Sequence, residues 1–189
     1  MNGRHFLSRL LFWKVALLGL IGLAAIHGAG AADVTISEDS VRAAYLYRFA
    51  GYVTWPQTPP ADAPLTIAVV GSPSMARELR RMQPAHSSNA RSVQVREVSD
   101  LEDLGTAQIL YVGEGHARLL RELRPKSSTA MLLVTAEEDG LSSGSIINFV
   151  TVDRNIRFEV SLPAAQRWGL KVSADLLGVA VRVQGGHPQ

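Results

Sequence analysis

From Val41 onward apolar residues recur at helical spacing, with Val41, Tyr45, Phe49 and Val53 on one stripe and Leu46 and Ala50 beside them. The pattern predicts an amphipathic helix with one buried face, stopped at Trp55-Pro56. Thr35 and Glu38 stand at capping-box spacing, and Glu38 and Asp39 bring negative charge to the first turn. Gln57 to Pro64 holds three prolines and no periodicity, which predicts a loop.

The apolar pattern then shortens to strands. Leu65 to Val70 is a β-rich run ending at Gly71, and Ser72, Pro73 and Ser74 open a helix that continues through Met75, Leu79 and Met82. Arg91 to Val98 alternates imperfectly, as a half-buried or edge strand does. Ala107 to Val112 and Met131 to Thr135 read as apolar strands, with a short helix over Ala117 to Leu123 between them. Ser145 to Asp153 and Asn155 to Leu162 flank a polar turn at Asp153, Arg154 and Asn155, the signature of an antiparallel hairpin. Pro163 opens a short helix through Trp168, and Leu170 to Val183 is expected to finish the chain as a helix against the sheet, against the pull of its β-branched residues. The order predicts an α/β single domain: a mixed sheet of about six strands with helices packed on it, and a C-terminal antiparallel hairpin followed by a helix.

Charge and the first residues change where this domain is expected to work. Arg4, Arg9 and Lys14 precede an apolar and glycine run from Val15 to Ile26, and Ala29, Gly30 and Ala31 supply the small residues of a cleavage site. Residues 1–31 therefore read as a cleavable signal peptide and residues 32–189 as the mature domain, exported to the periplasm. The apolar run spans about 18 Å as a helix, short of a bilayer core of ~30 Å. Nineteen Lys and Arg less those three leave 16 against 17 Asp and Glu, so the mature surface lacks the basic footprint that nucleic acid requires. The chain has no cysteine, which excludes disulfides, a thiolate nucleophile and Cys-based metal sites.

Three constellations invite chemistry. Gly140-Leu-Ser-Ser-Gly144 matches the G-x-S-x-G pattern of serine hydrolases, with Ser142 as nucleophile, but a β-rich run follows it and the only later histidine is His187 in the polar tail. A glycine-punctuated turn is the alternative reading. Gly71, Ser72 and Ser74, between a strand and a helix, form a candidate anion site built from backbone N–H groups and the helix dipole, or else a plain tight turn. His86, His116 and His187 lack ligand spacing, so no metal or cofactor is expected. Tyr45, Phe49, Tyr52 and Trp55 form an aromatic stripe for a core or a partner, while Ile147, Phe149, Phe158 and Val160 alternate with Arg157 and Glu159 along the hairpin.

The ordered segments resemble the YfiR-like periplasmic regulators. The resemblance is carried by Val41-Arg-Ala-Ala-Tyr-Leu-Tyr-Arg-Phe-Ala-Gly-Tyr-Val-Thr-Trp-Pro56, Leu65-Thr-Ile-Ala-Val-Val-Gly71, Ala107-Gln-Ile-Leu-Tyr-Val112, Gly144-Ser-Ile-Ile-Asn-Phe149, Ile156-Arg-Phe-Glu-Val-Ser-Leu162 and Gly169-Leu-Lys-Val-Ser-Ala-Asp-Leu-Leu177. It implies a non-enzymatic repressor that binds the periplasmic domain of an inner-membrane diguanylate cyclase, lowering cyclic di-GMP and biofilm formation. An outer-membrane lipoprotein would act as antagonist, and a homodimer is compatible with exposed edges. The partner surface is expected on Ile147, Phe149, Glu159, Trp168, Leu176 and Leu177. The resemblance also implies cysteines, in disulfide-bearing members, at the positions of Ala68, Ala107, Leu141 and Asn148, so a redox role does not transfer to this sequence. A periplasmic binder of small ligands or cell-wall fragments, docking an anion at Gly71 to Ser74, is the alternative function.

Overall fold

Helix α1, Glu38–Phe49, begins where Ser37 caps it: the Ser37 hydroxyl accepts the N–H of Ser40 at 3.1 Å. The cap therefore sits two residues after Thr35, which falls outside the residues described in this computed structural model, namely 37–56, 63–83, 92–125 and 130–185. The signal-peptide segment, most of the proline-rich loop, His86 and His187 also lie outside them. Strand β1, Val53–Thr54, follows α1, and then β2, Leu65–Val70; α2, Pro73–Met82; β3, Val93–Glu97; β4, Ile109–Val112; and β5, Leu132–Thr135. Short 3-10 turns at Leu101–Leu104 and Ala117–Arg121 lead into β4 and β5.

The C-terminal third comprises β6, Ile147–Val152; β7, Asn155–Ser161; α3, Leu162–Arg167; β8, Lys171–Val172; α4, Ala174–Val179; and β9, Arg182–Gln184. The single helix expected over 170–183 is thus a strand, a short helix and a strand. Val172 pairs with Val53 and Val183 with Val160, so β-branched residues next to open strand edges gain ladder hydrogen bonds that outweigh helical propensity.

The main sheet has seven strands in the order β3-β2-β4-β5-β6-β7-β9, and β1 pairs with β8 in a separate two-stranded sheet. β3, β2, β4, β5 and β6 run parallel, and the β6–β7 pair is antiparallel. β2, β4 and β5 are buried at every position, as strands covered on both faces must be. β2 leads out to β3 on one side, and the chain then returns past β2 to β4 on the other. The β2/β4 boundary is therefore the topological switch point of the sheet.

On one face α1 packs on α2 and on the hairpin. Phe49 is wholly buried and stacks on Phe149 at 5.7 Å and edge-on to Phe158 at 5.1 Å, with Tyr45 completing the cluster at 5.9 and 5.6 Å. Ser40 donates to Glu78, which also receives the Arg81 guanidinium at 2.7 Å, tying α1 to α2 at the surface. The hairpin turns through Asp153 and Arg154, both at positive φ (49° and 62°), between the paired Val152 and Asn155. Two residues in the left-handed region make the primed turn that suits strand twist, yet neither is glycine. Arg154→Gly should therefore raise stability by about 0.5–1 kcal/mol, read as a higher urea midpoint at unchanged slope.

Candidate functional site

Register determines which hairpin residues meet solvent. Ile147↔Val160, Phe149↔Phe158 and Thr151↔Ile156 are cross-strand pairs, so all six share one face, the face α1 covers. Asn148↔Glu159, Val150↔Arg157 and Val152↔Asn155 share the other. β6 pairs with β5 only at Ile147 and Asn148, and β7 pairs with β9 only from Glu159. Beyond those positions the hairpin is a two-stranded arm whose strand edges carry no sheet partner among the described residues.

Of the six residues expected at a partner surface, four are interior. Ile147 is fully buried, and Phe149, Leu176 and Trp168 are 2%, 4% and 8% exposed. Phe149 faces the α1 aromatics, and Leu176 lies in the same hydrophobic core as the sheet residues. Leu177 is half-buried, and Glu159 is held by Arg182 at 2.9 Å across the β7–β9 register. The large apolar side chains that do reach solvent, among the described residues, are Tyr52, Val152, Val179 and Val181. Val152 and Val181 both border β7: the first faces Asn155 across the hairpin, and the second donates its N–H to the Phe158 carbonyl at 3.0 Å. Three residues of β7 separate those contacts, roughly 10 Å along the strand. Apolar periodicity marks buried and exposed valines alike, and burial in the fold is what separates them.

At the carboxyl edge of the sheet, Asn148 closes a polar clasp. Thr135 Oγ1 donates to its Oδ1 at 2.8 Å, the Glu137 N–H donates to the same oxygen at 3.1 Å, and Nδ2 donates to the Glu137 carbonyl at 2.8 Å. Gly140 lies so close to Asn148 Oδ1 and Thr135 Oγ1 that no Cβ fits there. The Glu137 carboxylate in turn accepts the N–H groups of His116 and Ala117 at 3.1 and 3.0 Å, capping the 3-10 turn after β4. Ser142 lies exposed in the loop this clasp holds, and strand β6 follows instead of the helix a nucleophile elbow needs.

Gly71, Ser72 and Ser74 stand at the switch point. Gly71 has φ +67°, the His116 ring lies directly against its Cα, and the Ser72 and Ser74 hydroxyls are 3.4 Å apart. No acidic residue occupies the first turn of α2. Nearby, burial pushes the Tyr111 hydroxyl up to about 12, with Arg42 opposing that shift and Asp39 and Glu114 adding to it. Among the described residues no group of three His, Asp or Glu side chains is placed to hold a metal ion.

The β2–β4 register pairs Ala68 with Leu110, three positions beyond Ala107.

Removing the clasp with Asn148→Ala strands the Thr135 hydroxyl and the backbone of Glu137, and should cost ~2–4 kcal/mol. Amide exchange should then accelerate across residues 137–144 before it does in β2 or β4. The raised Tyr111 pKa means that the unfolded chain ionises first, from pH 10. The stability Tyr111 contributes is complete below pH 10 and lost as pH rises toward 12. Tyr111→Phe should flatten that alkaline decline in urea titrations.

A sequence profile of the YfiR/HmsC-like family matches residues 39–181. A search of curated proteins finds no match. Among solved structures, the chain is similar to the crystal structure of a conserved domain protein from Vibrio cholerae O1 biovar eltor str. N16961, with a TM-score of 0.56 at 10% identity. The alignment covers 78% of this chain and 60% of that one, and at this identity it is a likeness of fold. The matched span runs from the first turn of α1 to the exposed Val181, taking in the aromatic cluster, the switch point and the hairpin, and by that match the chain belongs to the YfiR/HmsC-like family.

Proposed function

We propose that the protein is a periplasmic regulator of cyclic di-GMP signalling that binds the periplasmic domain of an inner-membrane diguanylate cyclase and holds the cyclase inactive. Family membership supports a regulatory role over a catalytic one. Export follows from cleavage after Ala31, and an outer-membrane lipoprotein that competes for the regulator would lift the inhibition. Among the described residues no helix is long and apolar enough to cross a membrane.

The observation that carries this reading is Val181 at the β7 edge, 47% exposed and next in the chain to Arg182 of the Glu159–Arg182 ion pair, with Val179 at the end of α4 two residues earlier, 65% exposed. Apolar side chains rimmed by charge are the usual anatomy of a protein interface, and each valine buried there contributes up to about 1.5–3 kcal/mol. Binding one arrangement of the sensor domain better than another shifts its population, and the inhibition can be no larger than that difference in affinity. Glu159 serves as a rim residue and Leu177 as a flanking apolar contact, while Ile147, Phe149 and Leu176 lie in the core beneath.

Deleting the gene should raise cyclic di-GMP and biofilm mass. Complementation with a Val179→Asp/Val181→Asp chain should fail to restore repression although the protein folds and accumulates normally, and its affinity for the cyclase sensor domain should fall at least about tenfold. Unchanged cyclic di-GMP on deletion, or full repression by the double variant, would sink the proposal.

A further inference from the structure

A cavity of about 580 Å³ opens at the amino-terminal edge of the parallel strands, away from the hairpin. Leu104 and Met131, just ahead of β4 and β5, and Trp168, just after α3, line it with little exposure (5%, 3% and 8%), so its inner wall is apolar. Its volume is within the range of small-molecule sites, about 300–1,000 Å³.

Its charged groups are Glu102, Glu122 and Arg124. The carboxylates of Glu102 and Glu122 stand at the cavity, and neither forms an ion pair among the described residues. Arg124 also lines the cavity, and its Nη1 donates to the carbonyls of Arg121 and Leu123, the latter at 3.1 Å. The indole N–H of Trp168 has no acceptor among the described residues and is not sealed from solvent, although the residue as a whole is nine-tenths buried. A buried ring with an unused donor beneath two unpaired carboxylates asks for a ligand with an apolar body and a positive head.

We propose that this cavity is a binding site for small organic amines, with the ammonium held by Glu102 and Glu122 and the hydrocarbon body seated on Leu104, Met131 and the Trp168 ring. The two carboxylates repel a ligand that carries its own carboxylate, so amines are preferred over amino acids and organic acids. This site is separate from the partner surface proposed above and does not depend on it.

The test is a titration of the full chain with 2-phenylethylamine and hexylamine, against phenylacetate, hexanoate and 2-phenylethanol, followed by thermal shift and by the indole N–H resonance of Trp168, assigned with Trp168→Phe. The amines should raise Tm and move that resonance, and the acids should bind at least about tenfold more weakly. Glu102→Gln/Glu122→Gln alters only exposed side chains, so the fold stays intact, and it should erase the preference for amines. Failure of both amines to bind, equal binding of amines and acids, or an amine affinity unchanged in the double glutamine variant would each overturn the assignment.

Discussion

Everything distal in this molecule depends on four rings. Tyr45 and Phe49 of α1 meet Phe149 and Phe158 of the hairpin with centroids 5.1–5.9 Å apart, and this contact anchors the strand pair that outruns its neighbours in the sheet. A two-stranded ribbon by itself is at best marginally stable in water. With α1 pressed on one face, the hairpin keeps its register, and the opposite face and the edge are left to present Val152, Arg157 and Glu159.

The two ends of the parallel sheet carry different kinds of structure. At the carboxyl edge the loops after β2, β4 and β5 are joined in series: Asn148 holds Glu137, Glu137 caps the turn at His116 and Ala117, and His116 rests on Gly71. Such a network is costly to leave partly satisfied, so it favours one arrangement of these loops. In a chain without cysteine, hydrogen bonds among Thr135, Glu137 and Asn148 fix this edge. At the amino edge the wall is apolar and the charged groups are mostly free, which leaves room for a guest.

The sequence by itself determined the class of fold and most of its elements. Short, mostly apolar β-rich runs in β2, β4 and β5 mark strands buried on both faces, Pro73 and Pro163 mark helix starts, and strict alternation in Ile156, Phe158 and Val160 separates the two faces of β7. It also marked Tyr45 and Phe49 on α1 and the polar hairpin turn by local spacing, but α1 ends at Phe49, so Tyr52 and Trp55 of the expected stripe lie beyond it, on either side of β1.

Tertiary structure decided which apolar residues remain outside. Phe149 and Val181 look alike in a hydropathy pattern, yet one is sealed by α1 and the other stands 47% exposed. That difference arises from strand order and register, which bring segments far apart in sequence side by side. The same holds for the cavity at Trp168, whose wall comes from three separate connections, and for the split of residues 170–183 into β8, α4 and β9, where pairing with β1 and β7 overrode a helical pattern. Local propensity is worth tenths of a kilocalorie per residue, and a ladder of hydrogen bonds to a distant strand outweighs it.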